Sequence, residues 1–138
     1  MQAIVHVKLP ADLENLEKIR TLVSECARAH RFRAARVSEI ELSLEEAFTN
    51  VCSYAYVGEP GEIEVNCFVE DSSMIIEIID SGVFFDVTQA DDPDVTADLS
   101  ERKPGGLGIY LIRRLMDKVV YQREGDRNIL RLFVTRES

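Results

Sequence analysis

Cysteine, histidine, positive charge and long apolar runs are all in short supply, and each shortage removes a class of function. Cys26, Cys52 and Cys67 are odd in number, widely spaced and set among apolar neighbours. They offer neither a CxxC pair nor a disulfide framework, so they read as reduced core thiols. The two histidines, His6 and His30, stand in no HExxH or comparable ligand spacing, which speaks against zinc. With 16 Lys and Arg against 25 Asp and Glu, the formal net charge is -9. No basic stripe offsets repulsion from phosphates, and direct nucleic-acid binding is not expected. The nearest basic cluster, Arg31, Arg33 and Arg36, reads as a solvated turn. No apolar run approaches membrane-spanning length, and the N-terminus MQAIVHVKLP lacks a signal peptide's architecture. A cytoplasmic location, with no membrane partner, is the expectation.

What is present is the composition of a globular domain, 46% hydrophobic and 30% charged over 138 residues. One domain, 1–138, is expected, since no repeat, low-complexity tract or linker interrupts the chain. Ile4 to Leu9 alternates as a first strand that Pro10 stops. Leu13, Leu16, Ile19, Val23, Cys26 and Ala27 keep helical spacing to about His30, with Asp12 as the expected N-cap. A second helix is predicted from Val37 to Tyr56, and Gly58, Pro60 and Gly61 end it. Ile63 to Glu70 and Met74 to Ile79 form a hairpin that ends on Asp80. From Gly82 to Pro104 periodicity is lost and acidic residues accumulate, and a loop this long inside a compact domain is read as a lid. Ile109 to Asp117 is a third helix, and Val119–Arg123 and Ile129–Thr135 are two closing strands. Helices segregated onto one face of a mixed, largely antiparallel sheet give a two-layer α/β sandwich.

Three segments could carry chemistry. In the second helix, Ile40, Leu44, Phe48, Val51 and Ala55 make a core stripe. Glu46 and Asn50, four residues apart, stack on a face that points roughly away from that stripe. They suit a solvated face, yet Asn50 is a poor helix former where Glu, Lys or Ala would serve better. Asp80-Ser81-Gly82 stands where a buried strand opens into irregular chain. It fits either a plain turn or a carboxylate held rigidly to accept from an exocyclic amine. Lys103-Pro104-Gly105-Gly106-Leu107-Gly108 enters a helix N-terminus with three glycines in four residues, as backbone that approaches an anion closely does. It is neither a Walker A loop nor a dinucleotide fingerprint.

In this order the three segments resemble the GHKL ATPase superfamily of gyrases, chaperones and histidine kinases. More narrowly, the chain resembles the small stand-alone anti-sigma-factor serine/threonine protein kinases. EEAFTN is similar to the family's N box, DSGVFFD to its first glycine box, and KPGGLGIYLIRRLMD to its second with the helix behind it. The resemblance implies a Bergerat-type ATP-binding fold with ATP and Mg²⁺ as cofactors. Asn50 would hold the metal and Glu46 would act as general base, while Asp80 would read the adenine amino group with Gly82 giving room beside it. Gly105, Gly106, Leu107 and Gly108 would wrap the phosphates, with Lys103 as a candidate contact. The implied partners are a sigma factor and a STAS-domain anti-anti-sigma protein, and the implied assembly is a homodimer. Phe84 stands where many members have a second glycine, Tyr54 where a His is often found, and Asn128 where a Thr is common near the adenine. Arg20 falls where the family contacts its partners. An ATP-dependent switch without phosphotransfer and a histidine-kinase catalytic domain are the competing readings.

Overall fold

The computed structural model describes residues 3–56, 60–83 and 106–136. All but the first two residues of the expected lid, together with Phe84, Lys103 and Gly105, lie outside them. The elements follow in the expected order: β1 (Val5–Pro10), a 3₁₀ turn (Leu13–Asn15), α1 (Leu16–Ala29) and α2 (Ala34–Asn50). A π-helical turn (Val51–Ala55) then leads to β2 (Glu62–Glu70), β3 (Ser73–Asp80), α3 (Gly106–Leu115), β4 (Lys118–Glu124) and β5 (Arg127–Thr135). Asp12 does cap, but its carboxylate accepts from the Glu14 N–H at 3.0 Å, which starts the 3₁₀ turn rather than α1 itself.

The five strands are ordered β1-β2-β3-β5-β4, and every pairing is antiparallel. One face carries Ile63, Val65 and Cys67 of β2, Met74, Ile76 and Ile78 of β3, and Leu130, Leu132 and Val134 of β5. These join Ile19 and Val23 of α1 and Ile40, Leu44 and Phe48 of α2 in one core. The alternation of the strands and the 3.6-residue spacing of the helices thus meet on a single apolar layer. Cys26 and Cys67 are buried in it as free thiols, and burial pushes the Cys67 thiol well up, leaving it inert.

Helix α2 departs from the expectation of one buried stripe. A second line, Arg36, Ser43, Ala47 and Asn50, is also buried. Part of the reason is α3, which packs along α2 and is tied to it at both ends, and Ala47 and Asn50 also border the end of the sheet. Arg36, near the start of α2, donates to the Leu115 carbonyl at the end of α3 at 2.9 Å, while Gly108, at the start of α3, lies against Glu46. The reading of Arg36 as part of a solvated turn is therefore corrected. Arg31 and Arg33 are exposed, but Arg36 is 3% exposed and also donates to the Thr135 carbonyl at 2.9 Å and to Asp117 at 2.5 Å. Asp117 in turn accepts from the Thr135 N–H at 2.7 Å, so one guanidinium joins α2, the end of α3 and the end of β5.

Replacing Arg36 with Ala would strand the partly buried Leu115 and Thr135 carbonyls and open a hole between three elements. The expected loss is about 2–4 kcal/mol of unfolding free energy. Most of it comes from the carbonyl bonds, because Asp117 is 42% exposed and its ion pair is partly screened. Urea unfolding at neutral pH checks this, and a loss below 1 kcal/mol, as for an ordinary surface arginine, would contradict it.

Candidate functional site

A small, largely apolar cavity opens between the end of α2 and one end of the sheet. Ala47, Asn50, Val51, Ala55, Ile78, Asp80, Tyr121, Asn128 and Leu130 line it. Two residues singled out in separate segments of the sequence, Asn50 and Asp80, are thereby brought to one space. Asn50 is 8% exposed, and its Nδ2 has no hydrogen-bond partner among the described residues. An unpaired buried amide costs about 1–3 kcal/mol, so a ligand that engaged it would relieve a standing penalty. That burial corrects the expectation that Asn50 shares an outward face with Glu46. Of the two, Glu46 stays half-exposed beside Gly108 of α3, while Asn50 lies at the cavity wall next to sheet residues.

Asp80 ends β3 directly opposite Asn128 of β5. Its Oδ1 accepts from the Asn128 amide and from the Gly82 N–H, both at 2.8 Å. Burial pushes its carboxyl up, against the Asn128 and Gly82 hydrogen bonds and the Arg123 charge, which pull it down. Gly82 is fixed by packing. A Cβ there would stand 2.2 Å from the Ala55 carbonyl oxygen, and that carbonyl also accepts from the Val83 N–H at 2.9 Å. The wider π-helical turn at Val51–Ala55 thus docks the helix end onto the Asp80-Ser81-Gly82 segment. Tyr56 adds a latch: its hydroxyl donates to the Glu62 carbonyl and accepts from the Ser81 N–H, both at 2.7 Å.

Glu46 lies one turn before Asn50, with its carboxylate over the first turn of α3. A Cβ on Gly108 would come within 2.6 Å of Glu46 Oε2, so the absent side chain is what admits the carboxylate. Gly106 and Leu107 belong to the same turn. Burial, and next the charge of Glu45, hold the Glu46 carboxyl above the usual range. Arg20 of α1 pairs with Glu17 and reaches Glu45 at 3.7 Å. Sequence reasoning missed Tyr121 and Arg123, which stand on β4 in an ordinary alternating strand pattern that does not mark them. Their signal was positional: both alternate onto the helix-facing side, and Arg123 is in register with Asn128. Among the described residues no group of three or more His, Cys, Asp or Glu could hold a metal, so any cation here needs ligands from elsewhere. No helix among them is long and apolar enough to cross a membrane.

The described residues thus form an antiparallel sheet under helices, with a largely apolar cavity that ends on the buried Asp80. The family model described as "Histidine kinase-like ATPase domain" matches residues 9–134, and the chain belongs to that family. Proteins called serine-protein kinase RsbW are similar to it. Those of Bacillus cereus, Bacillus anthracis and Bacillus thuringiensis are each 27% identical over 138 residues, covering 96% of this chain and 86% of theirs. The histidine kinase AdeS of Acinetobacter baumannii shares the fold, with a TM-score of 0.53 at 13% identity over 100% of this chain and 70% of that one.

The buried carboxylate has a measurable consequence. A carboxyl raised by burial lends stability while protonated and loses it as pH rises through its folded-state pKa. Asp80→Asn keeps an acceptor for Asn128 and Gly82 but removes the charge. At neutral pH it should be more stable than the parent by about 1 kcal/mol, with the gap closing in acid. Its affinity for ATP should fall at least tenfold. Urea unfolding at pH 7.5 and pH 4 beside nucleotide calorimetry checks both, and a variant less stable at pH 7.5 would mark Asp80 as structural.

Proposed function

We propose that this chain acts as a single ATP-binding domain with Mg²⁺-dependent serine kinase activity toward a STAS-domain anti-anti-sigma protein, and that it also sequesters a sigma factor as a homodimer. The observation that carries the reading is the convergence on one cavity of Asn50, with its unpartnered buried amide, and Asp80, with Glu46 one turn away against Gly108. Family membership supports ATP as the ligand, and the likeness to serine-protein kinase RsbW supports a serine kinase, while the partners rest on the resemblance of the sequence motifs.

The residues present fit the cofactors. Asn50 offers one amide oxygen, which suits a hard cation that completes its shell with phosphates and water. Asp80 would accept from the base amino group, and Ala47, Val51, Ile78 and Leu130 would enclose its apolar faces. Gly106, Leu107 and Gly108, with Gly105 and Lys103 before them, would present the helix start to the phosphates. Bound ATP supplies the phosphoryl group to be transferred. Glu46 would take the proton of the attacking serine hydroxyl, and a carboxyl above its ordinary range is the stronger base for that task.

Replacing Glu46 with Gln keeps the shape but removes the proton acceptor. Mg-ATP should still bind, while phosphotransfer slows by about 10²- to 10⁴-fold. Glu45→Gln should keep the plateau rate. It withdraws the charge that helps raise Glu46, so the acid limb of the rate profile should move to lower pH. A phosphotransfer assay on a STAS-domain substrate, run beside nucleotide affinity, decides. Parent protein that binds ATP and the partner without transferring phosphate would replace the kinase with a nucleotide-dependent switch.

A further inference from the structure

Asn128 is 5% exposed, and its amide is fully committed. One Nδ2 hydrogen goes to Asp80 Oδ1 and the other to the Val83 carbonyl, each at 2.8 Å. Its Oδ1 accepts from the Tyr121 hydroxyl and from Arg123 at 3.1 Å. An amide has two donor hydrogens and two acceptor lone pairs, so Asn128 has nothing left with which to touch a ligand. Its effect falls on Asp80 instead. With the Gly82 N–H also on Oδ1 at 2.8 Å, that oxygen is saturated, whereas Oδ2 has no hydrogen-bond partner among the described residues.

We infer that Asn128 is a positioning residue for base discrimination: by donating to Asp80 Oδ1 it keeps Oδ2 an acceptor, which serves a 6-amino purine and refuses a 6-oxo purine. The inference rests on the ATP reading above and concerns how that site tells one purine from another. A protonated Asp80 would be a donor, suited to the carbonyl of a 6-oxo base. Burial pushes Asp80 toward that form, and the Asn128 and Gly82 donors with Arg123 hold it back. Tyr121 faces the pair from β4. Tyr56, Glu62 and Arg127 line a second groove that Asp80 also borders. Of these groups only Asn128 bonds the Asp80 carboxylate through a side chain.

The test uses the full chain with Asn128→Leu and Asn128→Asp. The second variant keeps the shape and the acceptor for Tyr121 and Arg123, and it serves if the first does not fold. In nucleotide-free protein, the Asp80 carboxyl followed by carbon NMR should titrate at higher pH in both variants than in the parent. Affinities for ATP and for inosine triphosphate at pH 8 and pH 6 give the second readout. The parent should prefer ATP equally at both, while the variants' preference should drop by about tenfold or more toward pH 6. Unchanged Asp80 titration and unchanged preference in the variants, with ATP still bound by the parent, would overturn this inference alone. A parent that binds neither nucleotide would overturn the ATP reading and this inference together.

Discussion

Helix α2 is packed along one stripe against the sheet and along another against α3, and the chemistry of the site depends on that double burial. Ala47 and Asn50 of α2 border the cavity at the end of the sheet, and Gly108 of α3 lies against Glu46. Asn50 is held at the cavity wall with no partner for Nδ2 among the described residues, while Glu46 remains half-exposed at the α3 border. The Arg36 guanidinium fixes the far end of the same helix pair, which sets where Glu46 and Gly108 meet. A binding site on paired helices is positioned more firmly than one on loops alone.

The end of the sheet supplies the other wall, and it does so at a cost in stability. Asp80 is buried with its carboxyl pushed up, the facing Asn50 Nδ2 lacks a partner among the described residues, and Gly82 sits against a backbone carbonyl where no side chain would fit. Each departs from what a fold optimised for stability would choose, and such departures gather where function requires them. The open π-helical turn belongs with them, because it frees the Ala55 carbonyl to receive the chain after Asp80.

Much of this was legible in the sequence, for identifiable reasons. Strand alternation and helical spacing placed the elements in order, because each has one apolar face and one layer to bury it in. The three site segments stood out because they break local rules: an Asn in mid-helix, a carboxylate after an apolar strand, glycines at a helix start. Burial of Arg36 and Asn50 was not legible from the first apolar stripe. The second line, Arg36, Ser43, Ala47 and Asn50, is mostly polar, and its burial depends on tertiary neighbours: the ends of α3 and β5 at Arg36, and the sheet-end cavity at Ala47 and Asn50. Tyr121 and Arg123 were hidden for a related reason, since their role exists only through the register of β4 on β5. Asn128 was noticed as a departure, but its four hydrogen bonds join strands and loops distant in sequence.

In the proposed function, Asn50, Asp80 and the start of α3 would form one Mg-ATP site. The most direct measurement is a crystal structure of the chain with Mg²⁺ and a non-hydrolysable ATP analogue. The base amino group should lie within hydrogen-bond distance of Asp80 Oδ2, the cation on Asn50 Oδ1, and the phosphates at Gly106–Gly108 beside Glu46. A nucleotide bound elsewhere, or a cation that does not touch Asn50, would contradict it.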